Sequence, residues 1–168
     1  MTTLFSKKQL VLKLSLSLLF LLALIVFYSA WHNWGTLFSF ALAYLIGLIF
    51  LFLDEQFLYR LYEEKIDLRT KKDSHFPQLI SRNFLFLMSL PLLSIFVATS
   101  SGSVFGIALI LALNFYLLVE MWQLRSEFLL FKDRFLDGIT IQPSAELIKK
   151  ICWAALLYFI FLLLILIF

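Results

Sequence analysis

The sequence contains little from which a polar site could be built. Its single cysteine, Cys152, excludes an internal disulfide and any metal site that needs several cysteines. Its two histidines, His32 and His75, fall in different loops, and neither an HExxH pattern nor a phosphate-binding glycine loop is present. Charged residues make up only 15% of the chain, and the net charge of +3 is too small to favour nucleic-acid binding. The sequence therefore predicts no cofactor, no metal ion and no nucleic-acid partner.

Apolar residues make up 62% of the chain and include twenty phenylalanines. Soluble domains average about 45–50% apolar residues, so a soluble protein of this composition would have too little polar surface to cover its core. A membrane-spanning helix needs about 20 apolar residues. Five stretches meet this requirement and predict spans at about 10–31, 36–53, 79–98, 103–119 and 148–168. We expect an all-α integral membrane protein with a single polytopic membrane domain.

The first apolar stretch follows Lys7 and Lys8, as the apolar region of a signal peptide would. It is longer than such a region and ends without a small-residue cleavage site, so it predicts a retained helix. Lys13 interrupts this stretch near its start. We expect its long side chain to extend to the lipid headgroups.

The connections between the predicted spans differ sharply in charge. Residues 32–35 and 99–102 form short connections without Lys, Arg, Asp or Glu, whereas 54–78 and 120–147 are long and charged. With five spans, all 14 Lys and Arg residues lie on one side of the membrane or just inside its boundary. Because cytoplasmic loops carry the excess of Lys and Arg, we expect a cytoplasmic N-terminus and an external C-terminus. A multi-pass protein of a bacterial plasma membrane fits this asymmetry.

Helices 2 and 4 are predicted to extend into the cytoplasm, because apolar residues recur at helical spacing beyond both spans. In the second extension these residues are Met121, Leu124, Phe128, Phe131 and Phe135. Each extension thus has a stripe of apolar side chains that has to be buried away from water. The two stripes pack on each other as a stalk, lie on the membrane surface or bind a helix of a partner protein, and the sequence does not decide between these alternatives.

Charged residues at similar depth in three predicted spans form a candidate cluster at the inner boundary, consisting of Asp54, Glu55, Arg82, Glu120 and Arg125. Ionisable groups at membrane depth are costly, so each suggests a role. The first interpretation is that these residues pair and anchor the helix ends at the headgroups. The alternatives are a cytoplasm-facing pocket for an ion, a proton or a lipid headgroup, and a docking surface for a partner.

Two further patterns concern contacts between helices. Asn114, near the bilayer centre, and Asn83, at shallower depth, are expected to form interhelical hydrogen bonds. Small residues recur every four positions, which lets helix backbones approach closely either within one chain or between two copies of it. These small residues are Ser39, Ala43 and Gly47 in the second span, and Gly102 and Gly106 at the outer end of the fourth.

The sequence favours a non-catalytic membrane protein over an enzyme. The one-sided charge and the amphipathic extensions suggest a subunit, scaffold or assembly factor that binds a partner through its cytoplasmic helix extensions. Expected partners are the lipid bilayer and either another membrane protein or a second copy of the chain. The alternative is a small transporter or a lipid-modifying enzyme that uses the polar cluster at the inner boundary.

The predicted topology is testable with single cysteines on either side of the third span, in a Cys152→Ser background. A membrane-impermeant maleimide should label Ser100→Cys in intact cells, and should label Ser74→Cys only after lysis. Reversed labelling would contradict the cytoplasmic N-terminus. Labelling of both positions from the same side would show that the third apolar stretch does not cross the membrane.

Overall fold

The computed structural model describes residues 7–29, 33–55, 80–82, 84–136 and 144–167, which contain helices and turns but no strand. The helices are α1 (Lys7–Ser29), α2 (Trp34–Leu53), a 3-10 turn (Ile80–Arg82), α3 (Phe84–Phe96), a π-helical turn (Val97–Ser101), α4 (Val104–Leu124), α5 (Phe128–Phe135) and α6 (Ala145–Ile167). This all-helical architecture agrees with the fold class expected from the sequence.

Four of these helices, α1, α2, α4 and α6, are long and apolar enough to cross a membrane. A shorter apolar helix, Phe84–Ser100, occupies most of the predicted third span. The outward faces are strongly apolar: Val26, Phe38, Leu85 and Leu92 are each more than 70% exposed. Apolar surface on this scale needs a cover other than water. The chain therefore has the properties of an α-helical membrane protein.

The central helix is α4, and α2 packs closely along it. The two helices approach closely at Gly47, where an added Cβ would lie 2.9 Å from Ala112 Cβ and 3.2 Å from the Leu109 carbonyl oxygen. Ala43 is also fully buried, and Ser39 is half-buried. The small residues of α2 that are buried thus serve packing within the chain, so the Gly47 face is not available to a second copy.

Stacked aromatic rings connect α4 to the two peripheral helices α1 and α6. Phe20 of α1 stacks on Phe115 of α4 with ring centroids 4.1 Å apart and planes at 10°. Phe159 of α6 lies 5.7 Å from both rings. Each such pair adds about 0.5–1.5 kcal/mol beyond the burial of its area. This trio fixes α1 and α6 on the same side of α4.

Hydrogen bonds at mid-depth connect α3 to α4 and α6. Asn114 donates from Nδ2 to Ser94 Oγ at 2.8 Å, which links α4 to α3. The Tyr158 hydroxyl of α6 donates to the Pro91 carbonyl oxygen at 3.2 Å. Proline removes a helical hydrogen bond, and neighbouring side chains satisfy the backbone around it. The other asparagine expected to act between helices, Asn83, lies outside the described residues.

Gly102 and Gly106 do not form a packing stripe together. Gly102 follows the π-helical turn with φ of 54°, a left-handed conformation that favours glycine, and it is exposed. The Ser103 side chain then accepts a hydrogen bond from the Gly106 backbone N–H at 3.2 Å and caps the start of α4. Gly102 therefore ends one helix so that the next can begin, and it lies outside α4.

The prediction that helix 4 continues into the cytoplasm is wrong. The helix ends at Leu124, the chain turns at residues 125–127, and α5 folds back onto the bundle. Phe131 and Phe135 are fully buried there, in the same core as Ile148 at the start of α6. Burial against the bundle removes the apolar stripe from water, which a projecting helix would not do. The predicted extension of helix 2 beyond Glu55 lies outside the described residues.

The close approach of α2 to α4 predicts that Gly47→Ala is destabilising. The new methyl group overlaps Ala112 and the backbone of α4, and overpacking of this kind costs about 1–3 kcal/mol. The matched control is Gly35→Ala, because an added Cβ at that position meets nothing within 4 Å. Thermal unfolding in a mild detergent should show a lower Tm for Gly47→Ala alone. Equal Tm values for the two variants would contradict the packing described here.

Candidate functional site

Six ionisable side chains meet at one site, to which the first turns of α1, the ends of α2 and α4, the 3-10 turn and α5 all contribute. We call this set the ion network, and its members are Lys13, Asp54, Glu55, Arg82, Glu120 and Arg134. All six are buried or nearly so. Five separate elements of the chain thus supply charges to one site.

Arg82 is the centre of the ion network. Its guanidinium donates to Glu120 through Nη2 at 2.9 Å and through Nε at 3.3 Å, which is a bidentate pair. The same Nη2 donates to Glu55 Oε2 at 3.0 Å, and Nη1 donates to Asp54 Oδ2 at 3.3 Å. Arg82 therefore contacts all three carboxylates. Because an arginine stays protonated inside proteins, it holds a permanent positive charge among them.

Lys13 enters the ion network from α1. It is fully buried, and its Nζ lies 3.2 Å from both carboxylate oxygens of Glu55 and 3.7 Å from Glu120 Oε2. The Tyr116 ring lies beneath it, 5.1 Å from Nζ, and the Tyr116 hydroxyl donates to Glu55 Oε2 at 3.0 Å. The expectation that Lys13 reaches the headgroups is therefore wrong: two carboxylates inside the bundle attract its ammonium group inward.

Asp54 holds the 3-10 turn against the end of α2. Its Oδ2 accepts hydrogen bonds from the Ser81 backbone N–H at 3.0 Å and from the Ser81 hydroxyl. The Ser81 hydroxyl also accepts from Arg82 Nη1 at 2.8 Å. The other oxygen, Asp54 Oδ1, is buried and has no hydrogen-bond partner among the described residues. Asp54 thus positions the arginine that the other carboxylates bind.

Arg134 completes the ion network from α5. Its Nη2 donates to Glu55 Oε1 at 3.0 Å, and its Nε donates to Glu120 Oε1. Its side chain is 9% exposed, so it lies at the rim of the site. Phe131 and Phe135 on the same helix are fully buried. The apolar residues therefore anchor α5 and direct Arg134 toward the carboxylates.

The described members of the ion network are balanced in charge: three cations face three carboxylates. A buried ion without partners is expensive, and removing one member of a buried pair typically costs about 3–5 kcal/mol. Neutrality within the cluster lowers this cost because every charge has opposite charges within 4.0 Å. The arrangement is suited to joining helices inside a membrane protein.

The structure brings together four of the five residues predicted to cluster, namely Asp54, Glu55, Arg82 and Glu120. It does not bring in Arg125. That residue is exposed after the end of α4, and its guanidinium lies 4.5 Å from the Trp122 ring centroid. The turn at residues 125–127 directs Arg125 away from the site.

Sequence reasoning missed Lys13 and Arg134. A signal existed for Lys13, because a charge inside a membrane span calls for a buried partner. A weaker signal existed for Arg134, which lies between the stripe residues Phe131 and Phe135 and is therefore close to the buried face of its helix. Nothing local in the sequence shows that α5 folds back.

The possible metal ligands at this site are carboxylate oxygens, and all of them except Asp54 Oδ1 already accept hydrogen bonds from cations. In the part of the chain that the structure describes, no group of His, Cys, Asp and Glu is arranged to hold a metal ion. Cys152, the only cysteine in the sequence, is buried between α4 and α6, where its Sγ lies 3.5 Å from the Met121 carbonyl oxygen. The geometry of the ion network is that of a set of mutual ion pairs.

Charge balance predicts that single neutral substitutions in the ion network are destabilising. Arg134→Gln leaves an excess of negative charge, and Glu120→Gln leaves an excess of positive charge. Each should reduce the free energy of unfolding by about 3–5 kcal/mol. The double variant restores neutrality, so its loss should be smaller than the sum of the two single losses, with a coupling of about 0.5–3 kcal/mol. Denaturant titration in a nonionic detergent measures these quantities.

The matched control is Lys132→Gln, which removes a charge from the same helix two residues before Arg134. Lys132 is half-buried and makes no ion pair with a described carboxylate, so its substitution should change stability by less than about 0.5 kcal/mol. Additive losses in the double variant, or an equal loss in the control, would contradict the network interpretation.

The site is thus characterised by its own chemistry and geometry, without support from similar proteins. No protein-family model matches the chain, and comparisons with curated proteins and with solved structures found no significant match. The ion network, its neutrality and the elements that it joins are therefore the observations from which a function has to be argued.

Proposed function

We propose that this chain is a non-catalytic, multi-pass membrane protein that acts as a subunit, scaffold or assembly factor. In this proposal it crosses a bacterial plasma membrane five times, with its N-terminus in the cytoplasm and its C-terminus outside. The ion network lies at the cytoplasmic boundary and holds the helix ends together. Partner proteins bind on that side of the membrane.

The observation that carries this proposal is the charge balance among the described members of the ion network. Each of the three carboxylates is paired with a cation of the same chain, so their negative charges are already compensated within the protein. Its contacts join α1, α2, the 3-10 turn, α4 and α5. A site that links five elements and is neutral overall is suited to a structural role.

The positions of the helix ends support the proposed topology. The start of α1, the end of α2, the 3-10 turn that precedes α3 and the end of α4 all contribute to one site, as Lys13, Asp54, Arg82 and Glu120 show. This is the pattern of helices that alternate in direction. The helix Phe84–Ser100 is about 26 Å long at 1.5 Å per residue, close to the ~30 Å hydrocarbon core of a bilayer.

The fold of α5 changes where a partner would bind. Its apolar stripe is buried in the bundle, so this stripe is not available as a docking face. The charged segment 54–78, the other predicted extension, is the remaining candidate. Its first two residues, Asp54 and Glu55, belong to the ion network, so the network fixes the point from which the segment begins.

The alternative of a small transporter or a lipid-modifying enzyme receives less support from the same contacts. Such a protein needs a charged or nucleophilic group that reaches its substrate. Glu120 is fully buried and contacts Lys13, Arg82 and Arg134. The Asp54 Oδ1 atom has no hydrogen-bond partner in the described part of the chain, but it is buried as well. A structural use of these charges accounts for their geometry without a substrate.

The proposal predicts that a partner protein copurifies in stoichiometric amount from the native host. The experiment uses the full chain in a mild detergent with a lysine-reactive crosslinker, followed by mass spectrometry. Crosslinks should join the partner to Lys65, Lys71 or Lys72 in the charged segment. An unrelated multi-pass protein with the same tag serves as the control, and it should not retain the partner.

Substitution of these three lysines by arginine keeps the charge but removes the reactive amines. The partner should still copurify with this variant, while its crosslinks to the segment disappear. A chain that purifies as a monomer or as a homo-oligomer without a partner would overturn the proposal. Crosslinks confined to lysines outside the segment would overturn the proposed binding region.

A further inference from the structure

A second polar feature lies on the surface where α4 and α6 meet, outside the ion network. Trp122 of α4 and Trp153 of α6 pack edge to face, with ring centroids 5.4 Å apart and planes at 85°. Beside them, Cys152 of α6 contacts the Met121 carbonyl oxygen of α4. These contacts lie along the line where the two helices meet. We call the surface around Trp122 and Trp153 at this line the tryptophan seam.

Arg125 directly follows α4 and contributes a positive charge to this seam. Its guanidinium lies 4.5 Å from the centroid of the Trp122 ring, in a cation–π contact. Arg125 is exposed, and no carboxylate among the described residues lies within 4.0 Å of it. A stacking contact thus fixes its guanidinium without neutralising it.

Two lysines of α6 add to the positive charge. Lys149 and Lys150 are exposed and precede Trp153 by four and three residues, which puts them on the same helical face. Exposed carboxylates nearby in sequence are Glu146 and Glu127, and neither forms an ion pair within 4.0 Å in the described part of the chain. Among the described residues, therefore, no carboxylate neutralises these three cations.

The seam continues into an apolar face on α6. One turn beyond Trp153, Leu157 is 63% exposed, and Phe161 and Leu164 follow it with about half of their side chains exposed. Two lysines, the Trp153 ring and an apolar strip thus follow one another along α6. This order matches that of a phospholipid, which has a charged phosphate, an interfacial region and acyl chains. A soluble anion has no acyl chain that could contact the apolar strip.

We propose that the tryptophan seam, through Arg125, Lys149, Trp122 and Trp153, binds the phosphate of an anionic phospholipid. A guanidinium that stacks on an aromatic face keeps its N–H edge free, and that edge binds phosphate through two parallel hydrogen bonds. Basic surfaces between transmembrane helices bind anionic headgroups by such contacts. The acyl chains of the lipid lie along the apolar face of α6.

Native mass spectrometry of the full chain, released from nonionic detergent, tests this proposal. Phosphatidylglycerol is the anionic probe, and phosphatidylcholine with the same acyl chains is the matched neutral lipid. Wild type should retain phosphatidylglycerol in preference to phosphatidylcholine. Arg125→Gln should reduce this retention about fivefold, the effect expected for one basic residue at a membrane surface. Lys132→Gln, which removes a positive charge from α5, should retain the lipid as wild type does.

Arg125→Lys separates a stacked guanidinium from simple charge, because lysine lacks the planar fork. It should recover only part of the binding, and full recovery would overturn the role of the stacked guanidinium. Equal losses in Arg125→Gln and Lys132→Gln would overturn the site in favour of general charge attraction. Displacement of the lipid by excess inorganic phosphate would assign the seam to a free anion and overturn the proposed lipid site. Equal Tm values for the three variants and wild type in the same detergent exclude unfolding as the cause.

Discussion

Charge neutrality in a medium of low dielectric constant is the constraint on which this structure depends. Six ionisable side chains lie inside a bundle whose outer surface is apolar, and an unpaired charge at such a position is strongly unfavourable. The cost falls only if each ion has partners of opposite sign within a few ångströms. Arg82, with its planar set of donors, meets this requirement for three carboxylates at once. The positions of five chain elements follow from the need to supply these partners.

The rest of the bundle depends on close packing. Helices that associate inside a lipid bilayer gain no hydrophobic free energy when they exchange lipid contacts for contacts with each other. At Gly47 the backbones of α2 and α4 approach so closely that even a methyl group does not fit. The stacked rings of Phe20 and Phe115 and the hydrogen bond between Asn114 and Ser94 hold the more distant helices to α4. Polar contacts at one end and tight apolar contacts along the axis therefore stabilise different parts of the same core.

The sequence predicts how deep a residue lies along an apolar helix, but it does not predict the direction that the chain takes after the helix ends. Depth along an apolar helix follows from counting residues, so the order of amino acids alone puts Asp54, Glu55, Arg82 and Glu120 at one level of the membrane. Direction after a helix end depends on tertiary packing. For this reason Arg125 was expected in the cluster, whereas the turn at residues 125–127 brings in Arg134 instead. The same limit applies to α5, whose apolar periodicity predicts a helix but not the surface that covers it.

The turn after α4 brings two basic residues, Arg125 and Arg134, into different surroundings. A continuous helix would have carried both of them on one extension that projects from the bundle. Before α5 begins, Arg125 lies on the outer surface beside Trp122, where it faces lipid headgroups in our proposal. After the turn, Arg134 lies inside and neutralises Glu55 and Glu120. If α5 left the bundle, the ion network would lose one of its three cations, and buried carboxylates would then oppose that movement. The burial of charge therefore restrains α5, and its apolar residues reinforce the same position.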